Sequence, residues 1–140
     1  MSSGSVEDRL AIRELMETFA VGAMRVDLDI WGSTWADEAV WGLPSMEQPA
    51  SGKANVLASF KEKMAYVDFM SMISFPSDLV FNGDTATGKA YCRELIYPKS
   101  GGHMIVVGCF DDKYVKRDGR WYFVSRIYEV MGKDMKLDQG

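Results

Sequence analysis

Lys89-Ala90-Tyr91-Cys92-Arg93-Glu94-Leu95-Ile96-Tyr97 is the stretch on which the reading of this chain turns. Its side chains alternate with a period of two, as on a pleated strand, and its aromatic residues suit such a surface. Ala90, Cys92, Glu94 and Ile96 share one face, while Lys89, Arg93 and both tyrosines share the other. The same period runs from Met70 onward and is broken by three turn signals: Asn82-Gly83-Asp84, Pro98-Lys99-Ser100-Gly101-Gly102 and Arg117-Asp118-Gly119-Arg120. Four long strands in an antiparallel meander are predicted, the last from Trp121 to Val130.

Upstream the period is helical. Ser5 followed by Asp8 resembles a capping box, and Ile12, Leu15, Met16, Phe19 and Ala23 recur at helical spacing, predicting a helix over Val6 to Met24. Asp27 or Asp29 is suited to cap a short second helix carrying Trp31 and Trp35. A short strand is expected over Ala39 to Leu43. After a loop with Pro44, Pro49 and Gly52, the residues Val56, Leu57, Phe60 and Met64 spell a third helix. Helices first and strands afterwards, without βαβ alternation, predict an α+β fold with helices packed on one face of the sheet. Residues 1–5 and 132–140 are polar and expected to be frayed, leaving an ordered core of about 6–131 in a single domain.

At 140 residues the chain is long enough for one core. A hydrophobic fraction of 47% with 26% charged residues is that of an ordinary globular protein. No apolar run approaches the roughly 20 residues of a membrane helix. A net charge of -4, with dispersed Lys and Arg, argues against nucleic acid as a partner. Cys92 and Cys109 lack CxxC spacing and His103 is the sole imidazole, too few soft ligands for a zinc site, so no metal is expected. The start of the chain lacks the basic and apolar regions of a signal peptide, and reduced thiols in a cytoplasmic protein are the expectation.

The segment Phe19 to Trp41, FAVGAMRVDLDIWGSTWADEAVW, resembles the helix-helix-strand opening of SnoaL-like proteins. The hairpin at Asn82 to Gly88, the run Phe110-Asp111-Asp112-Lys113-Tyr114, and Asp118-Gly119-Arg120-Trp121 with Arg126 resemble the family's later elements in the same order. The relatives include scytalone dehydratase, hexachlorocyclohexane dehydrochlorinase and bile-acid 7α-dehydratase. The resemblance implies a cone-shaped NTF2-like (cystatin-like) fold, with N-terminal helices on a curved, mostly antiparallel sheet around a deep pocket. It also implies an Asp at the end of the first helix and a His on the first long strand as a proton-abstracting pair. Here Met24 stands at the Asp position, Phe19 at that of a nearby tyrosine, and Met72 or Ile73 at that of the His.

With that pair replaced by apolar residues, Glu94 is the leading candidate for proton transfer. Its face of the strand is otherwise small or apolar, and burial raises a carboxylate pKa toward useful values. The alternative is that Glu94 only pairs with an arginine. Arg126 matches a pocket-bordering arginine of the dehydrochlorinase; it is suited to hold a substrate anion, or to act as counter-ion for Glu94. Tyr128 faces the same way and is either a hydrogen-bond donor to a carbonyl or core. His103 opens the third long strand, at the cavity mouth or outside according to hairpin register. Asp111 and Asp112 read as solvated or turn carboxylates. Phe19, Met24, Trp41, Met64, Met72, Ile73, Cys92 and Cys109 are the expected pocket residues, and ten methionines suit an adaptable apolar lining or a loosely specified core.

The function expected from these residues and the resemblance is a cofactor-independent lyase, isomerase or cyclase acting on a hydrophobic small molecule, with Glu94, Arg126, Tyr128 and His103 as catalytic candidates. The alternative is a non-catalytic module that binds apolar ligands or serves assembly. Tyr91, Arg93 and Tyr97 on the opposite face suit a homo-oligomer contact, dimer or trimer.

Overall fold

Ser5 starts the first helix by accepting the Asp8 backbone N–H on its hydroxyl at 3.1 Å. In this computed structural model, which describes residues 2–136, that helix is α1 (Val6–Arg25). It stops where Val26 takes a left-handed conformation at φ 51. Asp27 then accepts the Ile30 N–H at 3.0 Å and caps α2 (Leu28–Gly32). A Cβ on Gly22 would come within 2.6 Å of the Trp31 backbone nitrogen, so glycine is what lets α2 lie against α1.

The remaining elements are β1 (Trp35–Gly42), β2 (Ala50–Ser51), α3 (Lys53–Met64), β3 (Val67–Asn82), β4 (Thr85–Pro98), β5 (His103–Arg117) and β6 (Arg120–Lys136). They form one sheet in the order β2-β1-β6-β5-β4-β3. β3 to β6 make the expected antiparallel meander. β1, however, joins β6 in parallel: the two are remote in sequence, so no hairpin fixes their relative direction. The sheet is curved and unclosed, and the helices pack on one of its faces.

Four expectations are corrected. Trp35 opens β1 instead of riding on α2. The proline loop contains the short strand β2, which pairs antiparallel with β1. β6 continues to Lys136, beyond the expected end at Val130, because β5 supplies hydrogen-bonding partners as far as His103 opposite Lys136. Ser3 is tied down as well: its N–H donates to the Leu79 carbonyl at 2.7 Å, and Leu79 N–H donates to the Ser2 hydroxyl at 3.0 Å. These contacts fall where β3 shifts register between Ser77 and Val80, with Asp78 at φ 51, and they cover part of an edge strand.

The core is an aromatic cluster on the inner face, in which Phe19, Trp31, Trp35, Trp41, Phe60, Phe110 and Phe123 are all buried. Inside it lies an ion pair. Asp112 on β5 and Arg126 on β6 are directly opposed, with Nε to Oδ1 at 2.8 Å and Nη2 to Oδ2 at 3.0 Å. The Tyr114 hydroxyl donates to Asp112 Oδ2 at 2.9 Å. The guanidinium carbon sits 4.5, 4.0 and 4.1 Å from the ring centres of Phe19, Phe110 and Phe123. Burial pushes the Asp112 carboxyl up, while Arg126 and Tyr114 oppose that push. Asp112 is therefore a core residue at 2% exposure, correcting its reading as a solvated carboxylate; alternation along β5 gives no sign that a charge on the inner face has a partner.

Removing one member of this pair leaves the other charged and buried, at a cost of about 3–5 kcal/mol. Asp112→Asn or Arg126→Met is accordingly expected to lower unfolding stability by that order in urea titration at neutral pH. The triple variant Asp112→Leu, Tyr114→Phe, Arg126→Met leaves no orphaned polar group and is expected to recover most of the loss. A triple variant as unstable as the sum of the single losses contradicts this view of the pair.

Candidate functional site

α1, α2, β1 and α3 stand off the inner face of β3, β4 and β5 and leave a cavity of about 180 Å³. Its walls are Phe19 and Ala23 from α1, Trp31 from α2, Trp41 and Leu43 at the end of β1, Phe60, Lys63 and Met64 from α3, Val67, Met70 and Met72 from β3, Glu94 and Ile96 from β4, and Phe110 from β5. An apolar cavity of about 150 Å³ takes up a benzene ring, whereas drug-sized ligands occupy roughly 300 Å³ or more. The space therefore fits one small ring.

Only two lining residues are charged. Lys63, in the last turn of α3, is partly exposed, with Nζ 3.4 Å from the Ser45 hydroxyl. Glu94 is set in the wall by strand register, opposite Met72 on β3 and Val106 on β5. Burial raises its carboxyl pKa, opposed more weakly by the Cys92 thiol and the charge of Arg126. Cys92 Sγ lies 3.5 Å from Glu94 Oε1 and 3.6 Å from the Tyr128 hydroxyl. Burial and the neighbouring Glu94 charge push the Cys92 thiol up to about 12, so it is a weak hydrogen-bond donor there and not a thiolate.

Of the expected pocket residues, Phe19, Trp41, Met64 and Met72 border the cavity. Cys92 is buried on the same face, against Glu94. Three others are placed elsewhere. Ile73 is 69% exposed, because β3 register turns Met72 inward and its neighbour outward. Met24 is 38% exposed; Phe19 and Ala23, four apart, share the inner side of α1, and the next residue is turned roughly 100° away. Cys109 precedes the inward-facing Phe110 and lies on the opposite face of the sheet, across from Tyr91 and Glu129. Both cysteines are free, and they occupy opposite faces of the sheet.

The four candidates for chemistry are not brought together. Arg126 is bound to Asp112 instead of Glu94 and touches the cavity only through the Phe19 and Phe110 rings. Tyr128 is buried with its ring over Gly108, where a Cβ would lie 2.2 Å from it, and its hydroxyl is near Cys92; it is not a lining residue. His103 sits beside Tyr97 with ring centres 5.6 Å apart, in a separate groove with Asp68 and Lys136. Sequence reasoning missed Lys63, which reads as a solvated helix-end charge, and Trp31, which reads as plain core. Phe60 and Met64 were visible as an i, i+4 pair on α3. Among the described residues no group of three His, Cys, Asp or Glu is placed to hold a metal, and no helix is long and apolar enough to cross a membrane.

The sequence profile described as a SnoaL-like domain matches residues 4–127. Similar solved structures include a type 2 hexachlorocyclohexane dehydrochlorinase, LinA, at 17% identity and a TM-score of 0.85, covering 94% of this chain and 90% of that one. The LinA-type3 dehydrochlorinase of Novosphingobium barchaimii LL02 is also similar, at 17% identity and a TM-score of 0.84, covering 94% and 91%. A scytalone dehydratase-like protein of Novosphingobium aromaticivorans DSM 12444 gives 14% identity and a TM-score of 0.85, covering 96% and 91%. At these identities the likeness is one of fold. None of the curated proteins matches the chain.

The raised pKa of Glu94 has a consequence for stability. In the unfolded chain the carboxyl releases its proton near the ordinary value of 4.5, and in the folded protein it does so at higher pH. Its contribution is then present below the unfolded pKa and is lost as pH rises through the folded one. Urea midpoints of the native protein are expected to fall relative to those of Glu94→Gln as pH is raised from about 4 to 8. Parallel profiles for the two proteins contradict a raised Glu94.

Proposed function

The chain belongs to the SnoaL-like domain family, and from that premise we propose that it is a cofactor-independent lyase, isomerase or cyclase that moves a proton on a small hydrophobic ring. The observation that carries this reading is Glu94, a carboxyl of raised pKa in a wall otherwise built almost wholly from aromatic, aliphatic and thioether side chains. A general acid or base works best when its pKa is near the working pH, and burial moves a carboxyl in that direction. One such group suffices for a 1,3 proton shift. The Glu94 carboxylate takes a proton from the carbon between a carbonyl and a double bond, the double bond moves, and the resulting acid returns the proton to the far alkene carbon.

3-Cyclohexenone is a probe of matching size. Its conversion to conjugated 2-cyclohexenone is expected to be accelerated by the protein, followed by ultraviolet absorbance. Glu94→Gln is expected to lose that acceleration by about 100-fold or more, the scale of a positioned acid or base. An undiminished rate in the variant removes Glu94 from the role.

The second reading is a non-catalytic binding or assembly module. Phe19 and Met72 favour it, since both line the cavity where the family resemblance calls for a tyrosine and a histidine. Binding of ring compounds with no turnover of any enone, hydroxyketone or halide tried is the outcome that selects it.

We also propose a homo-oligomer, dimer or trimer, formed through the outer face of the sheet. Phe69, Ile73, Phe75, Tyr97, Val107 and Ile127 are exposed there. A patch of this kind ordinarily marks an interface. Exposed Arg93 and Glu129 on the same face give it both signs of charge, which suits contact with a second copy of itself. Ile73→Lys is expected to yield monomers in sedimentation equilibrium, and an unchanged mass contradicts the assignment.

A further inference from the structure

Glu94 is the last member of a polar chain that crosses three strands. Tyr128 rises from the inner face of β6 and lies over Gly108 of β5, where an added Cβ would come within 2.2 Å of its hydroxyl oxygen. Only a residue without a side chain lets the phenol pass there. Gly108 stands opposite Cys92 on β4, and the Tyr128 hydroxyl arrives 3.6 Å from the Cys92 sulfur. That sulfur is 3.5 Å from Oε1 of Glu94, two residues along the same face of the strand. A thiol has one hydrogen for these two contacts. If the hydrogen goes to Tyr128, the phenol hydrogen and Oε1 are both left without a partner among the described residues. If it goes to Oε1, the phenol donates to the sulfur and all three groups are satisfied. The other carboxyl oxygen, Oε2, has no hydrogen-bond partner among the described residues and is not one of their sealed, unpartnered polar atoms, so it keeps contact with open space.

Resting on the proton-transfer reading of Glu94, we infer that Tyr128 and Cys92 are positioning residues: their chain holds Oε1 and leaves Oε2 as the oxygen that takes up and releases the proton. A base that serves as the acid of the next step must keep one orientation in both states, and neighbours locked by packing and hydrogen bonds supply that. The thiol donates to Oε1 of the carboxylate and equally to the carbonyl oxygen of the acid, so the carboxyl need not turn over between the two steps. A weak donor suits the place, because a strong or charged one would hold the carboxylate firmly enough to cancel the effect of burial. The other charged groups facing Glu94 are Arg126 from β6, which is paired with Asp112 of β5, and Lys63 from α3; β3 presents Met72, β5 Val106, α1 Phe19 and Ala23, and α2 Trp31. None of these is a hydrogen-bond partner of the carboxyl, which leaves its orientation to the thiol.

The S–H stretch of Cys92 tests it in the whole chain, because proteins absorb little else in that part of the infrared and Cys109→Ala leaves Cys92 as the one thiol. The band is expected to move to lower wavenumber as Glu94 ionises, since a charged acceptor strengthens the bond, and Glu94→Gln is expected to abolish that response to pH. Tyr128→Phe keeps the ring and is expected to raise the Glu94 midpoint in a 13C titration by about 0.3 pH unit. Cys92→Ala is expected to lower kcat for 3-cyclohexenone about tenfold with KM within about twofold, and Cys92→Ser, which differs from it only by a hydroxyl donor, is expected to recover most of that loss. A thiol that donates to Tyr128 instead gives a band indifferent to pH and a Glu94 midpoint that falls in Tyr128→Phe as the hydrogen is freed; either result overturns the chain. If the band follows Glu94 but no enone is turned over, the chain stands and the proton-shift reading falls. If the enone is turned over and Cys92→Ala is as fast as the native protein, that reading stands and the positioning role falls.

Discussion

The interior of this protein is organised by one buried arginine in an ion pair with one aspartate. Arg126 has one edge of its guanidinium, Nε and Nη2, held by both Asp112 oxygens, and its carbon lies over three phenylalanine rings, while Asp112 is in turn held by Tyr114. Arg126 makes its ion pair with Asp112, and its charge acts on Glu94 only as a weaker influence than burial. A permanently charged group cannot be buried alone, so β5 and β6 must stay in the register that opposes Asp112 to Arg126. That register also sets Phe110 into the cavity wall and Cys109 away from it. Through Phe19 the same arginine also contacts α1, with its guanidinium carbon 4.5 Å from the ring centre.

Glu94 is the counterpart of that arrangement. With Arg126 engaged elsewhere, its nearest polar neighbour is a thiol that burial keeps protonated. Desolvation is then the dominant influence on its carboxyl, which is the condition under which a carboxylic acid becomes a working proton carrier. Among the aromatic and thioether walls the one other charged residue is Lys63, in the last turn of α3. A site of this composition distinguishes ligands by size and apolar shape more than by charge.

Much of the fold was legible in the sequence, because its signals are local. The Ser5 cap, the i, i+4 spacing of Phe19 and Ala23, the three turn sequences and the alternation through Lys89 to Tyr97 each dictate their own element. The inward turn of Glu94 follows from that alternation alone. What was not legible depended on distant pairings. The parallel contact of β1 with β6, the burial of Asp112 and its possession of Arg126 arise between segments whose relation no local pattern reports. Single-residue register decided the rest. Met72 and Ile73 were equal alternatives by counting from Asn82-Gly83, and only the pairing of Met72 with Glu94 separates them. Met24 was misplaced because a helix end turns its side chains by a large angle per residue, so that Ala23 takes the inner position.

Proton transfer in this cavity depends on a carboxyl whose pKa burial raises above its ordinary value, against the weaker pull of the Cys92 thiol and the Arg126 charge. Direct titration of the Glu94 side-chain carboxyl by 13C NMR measures this with no assumption about substrate. The account predicts a midpoint clearly above 4.5, moving down toward that value when Met72→Lys sets a cation opposite it. A midpoint at or below 4.5 in the native protein would mean that Glu94 is solvated or paired, and the proton-transfer reading of the cavity would be wrong.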